Sequence, residues 1–168
     1  GWRMNVPEDL SFKEVFYPLG TRGLQVFLAT PEILETGKIT MMIKRHGVGE
    51  GKGNGQKALP FAKATEADGW LYVSGQTPMR DGEVVGNGIV EQSRIAIENM
   101  IKIVEDAGYS TADIMRIGVW LDDARDFWSF NGVFEEYFGE NPPARACVQS
   151  SMVVDCKVEV DCIAFRKA

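Results

Sequence analysis

Arginine and glutamate stand in two neighbouring apolar runs, Pro142-Pro143-Ala144-Arg145-Ala146-Cys147-Val148-Gln149 and Lys157-Val158-Glu159-Val160-Asp161-Cys162-Ile163-Ala164, where Val, Ile and Cys would suffice for a strand. The Arg145 guanidinium is always charged and its planar fork of donors fits a carboxylate bidentately, while the Glu159 carboxylate can accept or deliver a proton. Two readings follow from these residue types. One is a small site that holds an anionic substrate on Arg145 and moves protons through Glu159. The other is a structural ion pair between the two, which perturbs strands as often as catalysis does. Alternation in the second run sets Val158, Val160, Cys162 and Ala164 on one face and Lys157, Glu159, Asp161, Ile163 and Phe165 on the other. A short connection around Val153-Val154-Asp155 predicts an antiparallel hairpin of residues 145–152 with 157–165, a return that could bring Arg145 near Glu159, its register left open.

The elements that must carry these runs follow from periodicity and turn chemistry. A strand is expected over Leu71–Ser74, then a turn at Met79-Arg80-Asp81-Gly82-Glu83. A long helix with apolar Val90, Ile97, Ile101 and Val104 stops at Gly108, and a strand over Met115–Leu121 leads to a second helix, Ala124–Phe138, ended by Gly139. Phe127, Phe130, Phe134 and Phe138 recur on one face of that helix and read as core. This order predicts an α+β layer, a mixed β-sheet with two helices packed on one face. Residues 1–41 form an N-terminal extension of unknown role, with an expected strand over Leu24–Ala29 and a short helix capped by Thr30, opened by Pro31 and ended by Gly37. Residues 42–168 form the main domain.

Composition bounds the function. The chain has 168 residues, is 45% hydrophobic and 25% charged, and carries a formal net charge of -6. That suits one globular domain with a core and disfavours nucleic acid as partner, because backbone-phosphate binding needs clustered Lys and Arg. The glycines of residues 47–55 match neither phosphate-loop pattern and are expected to form a connector or flap. Cys147, Cys156 and Cys162 have no CxxC spacing and are expected inside strands as small buried thiols, and with His46 the single histidine no metal site is expected. No apolar run reaches membrane-spanning length and no signal-peptide pattern opens the chain, so the cytoplasm is the expected compartment.

From about Met42 onward, covering about three quarters of the chain, the sequence resembles the RidA/YjgF family of enamine/imine deaminases. The resemblance rests on Leu59-Pro60-Phe61, Tyr72-Val73-Ser74-Gly75-Gln76-Thr77-Pro78, Glu91-Gln92-Ser93 through Glu98-Asn99, and Ala107-Gly108 with Asp113-Ile114. Val119-Trp120-Leu121-Asp122-Asp123, Phe130-Asn131-Gly132-Val133-Phe134, Pro143 through Val148 and Lys157 through Val160 complete it in order. It implies a chorismate-mutase-like homotrimer with sites at subunit interfaces, a small imino or keto acid ligand and no cofactor. Arg145 would then clamp the carboxylate of a 2-imino acid and Glu159 would activate water, as in a 2-iminobutanoate/2-iminopropanoate deaminase. Desolvation near Ile163 and Phe165 would raise the pKa of Glu159. The resemblance also makes Phe61, Ser74, Asn131 and Cys147 substrate-binding positions, Cys147 through its backbone. Phe61 stands where many members have tyrosine, Gln149 where many have glutamate, and the connection between the last two strands is shorter and lacks a Leu-Pro turn. A non-catalytic carboxylate-binding trimer is the alternative, and an endoribonuclease or translation inhibitor ranks last.

Overall fold

The computed structural model describes residues 13–18, 24–29, 43–50 and 58–167, which fall in two compact units, Gly1–Met42 and Ile43–Ala168. Within the first, β1 (Lys13–Pro18) and β2 (Leu24–Ala29) pair antiparallel, so the expected strand at residues 24–29 is present. The expected helix after Thr30 lies outside the described residues, as do residues 51–57 of the glycine-rich stretch.

The second unit is a six-stranded mixed sheet covered on one face by two helices. Its strands are β3 (Lys44–His46), β4 (Ala64–Ala67), β5 (Trp70–Gln76), β8 (Ile114–Leu121), β9 (Ala144–Gln149) and β10 (Val158–Phe165), in the order β3-β4-β5-β10-β8-β9. A separate two-stranded ribbon joins β6 (Met79–Arg80) to β7 (Glu83–Val84). Asp68-Gly69 turns β4 into β5 and Asp81-Gly82 turns β6 into β7; all four residues have positive φ, as a two-residue primed turn requires. Two helices, α1 (Gly88–Asp106) and α2 (Phe127–Phe138), cross over from β5 to β8 and from β8 to β9.

One expectation fails at the sheet's centre. The last two strands do not form a hairpin: β9 pairs parallel with β8 at the edge, and β10 runs antiparallel between β5 and β8. Sequential strands usually pair, but α2 returns the chain for a parallel partner, and β9 occupies that side of β8 before β10 arrives. The alternation within β10 holds, with Val158, Val160, Cys162 and Ala164 buried under the helices.

The stripe on α1 is also displaced from its expected setting. Val90 is 41% exposed and Ile101 only partly buried, while Ile89, Gln92, Ser93, Ala96, Ile97, Met100, Ile103 and Val104 face the sheet. The phenylalanines of α2 behave as expected: Phe130, Phe134 and Phe138 are buried and Phe127 packs against the core. The second helix starts at Phe127, after a 3-10 turn at Ala124–Asp126 whose cap is the Asp123 carboxylate. All three cysteines are free thiols; Cys156 lies in the β9–β10 connection rather than in a strand. Among the described residues no helix is long and apolar enough to cross a membrane, and no three His, Cys, Asp or Glu side chains gather as metal ligands.

Candidate functional site

Register decides the geometry of the two charges. Arg145 is aligned with Ile117 of β8, and Ile117 with Cys162 of β10, all on the face that carries the helices. Glu159 is aligned with Trp120, and Trp120 with Val148, on the opposite face. A whole strand and the thickness of the sheet therefore separate Arg145 from Glu159. The internal ion pair, one of the two readings that the residue types allow, is not formed.

Arg145 is held by rings. Its guanidinium carbon lies 4.6 Å from the centroid of Phe134, 5.7 Å from Phe130 and 5.8 Å from Phe127, so three faces of negative quadrupole support the cation. Among the described residues no carboxylate pairs with it, and its donor fork remains free for an anion. Asn131 stands on the same helix, one turn after Phe127, and its Oδ1 is buried without a hydrogen-bond partner. Cys147 follows Arg145 on the same face of β9 and is partly buried. Burial pushes its thiol up, against the weaker opposite pull of Arg145, so it is not a thiolate nucleophile.

Glu159 belongs to a second group on the outer face. Its carboxylate lies over Gly75 of β5, where a Cβ would fall on Oε1. Beside Gly75, Ser74 donates from Oγ to the Ala62 carbonyl at 2.8 Å and from its N–H to the Lys63 carbonyl at 2.9 Å. The hydroxyl therefore braces the segment that carries Phe61, and Phe61 itself is half exposed. Ser74, which braces the Phe61 segment, is thus the chain neighbour of the Gly75 that lies under Glu159, whereas Arg145 and Cys147 share the face carrying the helix on which Asn131 stands.

Burial raises the pKa of Glu159 above its ordinary 4.5, and the Asp161 carboxylate on the same face adds to the shift. Asp161 is itself fixed by the Gly118 N–H at 3.0 Å. The folded chain therefore binds a proton at Glu159 more tightly than the unfolded chain. Stability declines as pH rises from 4.5 through the raised value and stays lower above it. Glu159→Gln is accordingly expected to raise Tm at about pH 8 and to lose that advantage near about pH 4 in scanning calorimetry. An equal gain at both values would show that the carboxylate's charge is not destabilising.

Sequence reading missed the residues that hold the Glu159 strand in place. Gln92, buried on α1, donates from Nε2 to the Gly86 carbonyl at 3.2 Å and accepts from the Lys157 N–H at 2.8 Å, two residues before Glu159. The Lys157 carbonyl in turn accepts from the Asp122 N–H at 3.0 Å. Asn99 donates from Nδ2 to the Thr77 and Met79 carbonyls, at 3.0 Å each, and so anchors the chain leaving β5. A glutamine on a largely apolar helix stripe is the available signal, because a buried amide must find partners.

Comparisons with known proteins agree on one family. The family described as Endoribonuclease L-PSP matches residues 55–166. A RutC family protein of Pyrococcus horikoshii is 39% identical over 111 residues, covering 64% of this chain and 88% of that protein. TdcF of Escherichia coli, named as a candidate reactive intermediate deaminase, is 33% identical over 115 residues, covering 65% of this chain and 88% of TdcF. A crystal structure of TdcF with bound serine superposes with a TM-score of 0.65 at 30% identity, over 74% of this chain and 99% of that one.

Proposed function

Because the chain belongs to the endoribonuclease L-PSP family, the RidA/YjgF family, we propose that it hydrolyses reactive 2-imino acids to 2-keto acids and ammonia in a cleft shared by two copies of itself. The observation that carries this reading is the separation of Arg145 and Glu159, two charges without an ionic partner among the described residues, on opposite faces of one sheet. A second copy brings them together when its outer face meets the β9–α2 edge of the first. The outer face is suited to burial. Tyr72 and Val148 are each 50% exposed, and Trp70 packs at a tilt of 47° against Phe165 with centroids 4.8 Å apart, on the face that also carries the partly buried Trp120 and Ile163. Exposed aromatic and aliphatic side chains gathered on one face of a small domain suit an interface, and a closed homotrimer is the assembly this reading takes.

In that cleft the free fork of Arg145 holds the substrate carboxylate and sets the imine carbon against the Glu159 side of the neighbouring copy. A water oxygen bonds to the imine carbon as the nitrogen takes up the C=N electron pair, and Glu159 accepts the water's proton. The same proton passes to the amino nitrogen of the carbinolamine. The hydroxyl then passes its proton through Glu159 to the departing nitrogen as the C–N bond breaks, so that the keto group forms and ammonia leaves. A raised carboxylate pKa suits both the acceptance and the return of that proton. Asn131 shares a helix with the rings under Arg145, and its amide oxygen is enclosed, out of a substrate's reach in the single chain. TdcF, a relative solved with a bound amino acid, supports a site that receives a carboxylate next to nitrogen.

The test is release of keto acid from 2-iminopropionate or 2-iminobutanoate, generated in the cuvette by a dehydratase. Acceleration is expected for the free acids and not for an imine whose carboxylate is esterified. Tight binding of the acids without acceleration would replace this reading with a carboxylate-binding trimer. RNA cleavage that survives loss of Arg145 would replace it with the nuclease its family description names.

A further inference from the structure

Beside the Arg145 platform lies a concavity of about 290 Å³, set between the start of α2 and the second half of β9. Its walls include Leu121, Phe127, Trp128, Cys147 and Val148, with Arg125 at the rim. Two residues join it to the charge described above. Phe127 lines it and also lies under the Arg145 guanidinium, and Cys147 lines it from the same face of β9, two residues from Arg145. Arg145 does not itself line the space, and Phe127 is the side chain through which a ligand held on the guanidinium would reach it.

The chemistry of the walls narrows what fits. Trp128 is 79% exposed, an unusual outlay of aromatic surface on the flank of a helix, and Phe127 adds apolar surface. Arg125 does not ask for an anion. Its guanidinium engages both oxygens of Asp123 and its N–H caps onto the same carboxylate at 2.9 Å, which holds the Asp123 carboxyl down at about 2.

We propose that this concavity is the side-chain subsite next to the carboxylate clamp, and that it takes the large apolar side chain, branched or aromatic, of a 2-imino acid. The inference rests on the deaminase reading of Arg145 and goes further by assigning the substrate's size. Iminopropionate, with a methyl group, leaves the subsite empty. Imines of leucine or phenylalanine fill it and bury Trp128.

The imines of alanine, leucine and phenylalanine, generated in situ by an amino acid oxidase, separate the possibilities. The expected result is a kcat/KM for the larger imines at least about tenfold above that for iminopropionate, carried by KM, as one well-filled apolar contact permits. In Trp128→Ala the ratio of large to small substrate should collapse towards one. The same ranking should appear when phenylpyruvate and pyruvate are titrated calorimetrically, a readout that does not need turnover. Hydrolysis of all three imines without preference, or an equal loss on all three in Trp128→Ala, overturns the subsite and leaves the deaminase reading standing. Absence of hydrolysis together with preferential binding of phenylpyruvate, lost in Trp128→Ala, overturns the deaminase reading and keeps the apolar subsite. Absence of both overturns the two together.

Discussion

Neither Arg145→Ala nor Glu159→Gln subunits alone are expected to exceed about a hundredth of the wild-type kcat/KM on 2-iminopropionate, the loss typical for a general base or a charged anchor. A one-to-one mixture, unfolded and refolded together, is nevertheless expected to regain activity. In the proposed assembly each cleft would take Arg145 from one copy and Glu159 from its neighbour, because β8 and the thickness of the sheet separate the two within a chain. Random assembly then leaves about one cleft in four with both groups intact. Mixed samples should reach roughly a quarter of wild-type activity, and refolded single variants should not. Activity of the mixture no higher than the mean of its parents would place both groups in one chain's site, or neither in any site.

The second large effect comes from a residue without a side chain. In Gly75→Ala the new methyl group occupies the position of Glu159 Oε1, and the carboxylate must move. Loss of about a hundredfold in kcat/KM is expected, since displacement of a reacting group by about an ångström suffices for that. The variant should assemble and melt like the wild type, because the collision is with the end of a side chain and not with backbone. The decisive comparison is with Gly75→Ala/Glu159→Gln. If Gly75 acts by making room for Glu159, the double variant should be about as slow as Glu159→Gln alone. Losses that multiply would mean that Gly75 serves the site by another route.

The two charges were legible as individuals and illegible as a pair. Alternation in residues 158–165 correctly assigns Glu159 and Asp161 to the face away from the helices, and the fork of Arg145 marks it as an anion binder whatever its surroundings. Their relation depends on which strands are neighbours, and no local pattern in residues 144–149 announces a parallel partner. A hairpin was therefore the economical reading, and it placed Arg145 towards a residue that the sheet keeps on the other side. Gly75 was quoted only as part of a motif, since the meaning of a glycine lies in the neighbour it admits, here a side chain 84 positions away in sequence. Gln92 was hidden for a different reason: polar residues on a helix are read as solvent-facing until the stripe around them is set, and the expected stripe was centred too near Val90.

The position of β10 also governs how the chain reaches this fold during synthesis. All other strands of the sheet emerge from the ribosome first, yet β5 and β8 have no hydrogen-bonded contact until residues 158–165 slot between them. Until then the nascent domain holds two half-sheets, β3-β4-β5 and β8-β9, each with an open inner edge that can capture a strand from another molecule. Closure is a single late event of high sequence separation, slow in the manner of all non-local strand pairing. The insertion of one strand is thus the step that removes both open edges from the reach of other molecules.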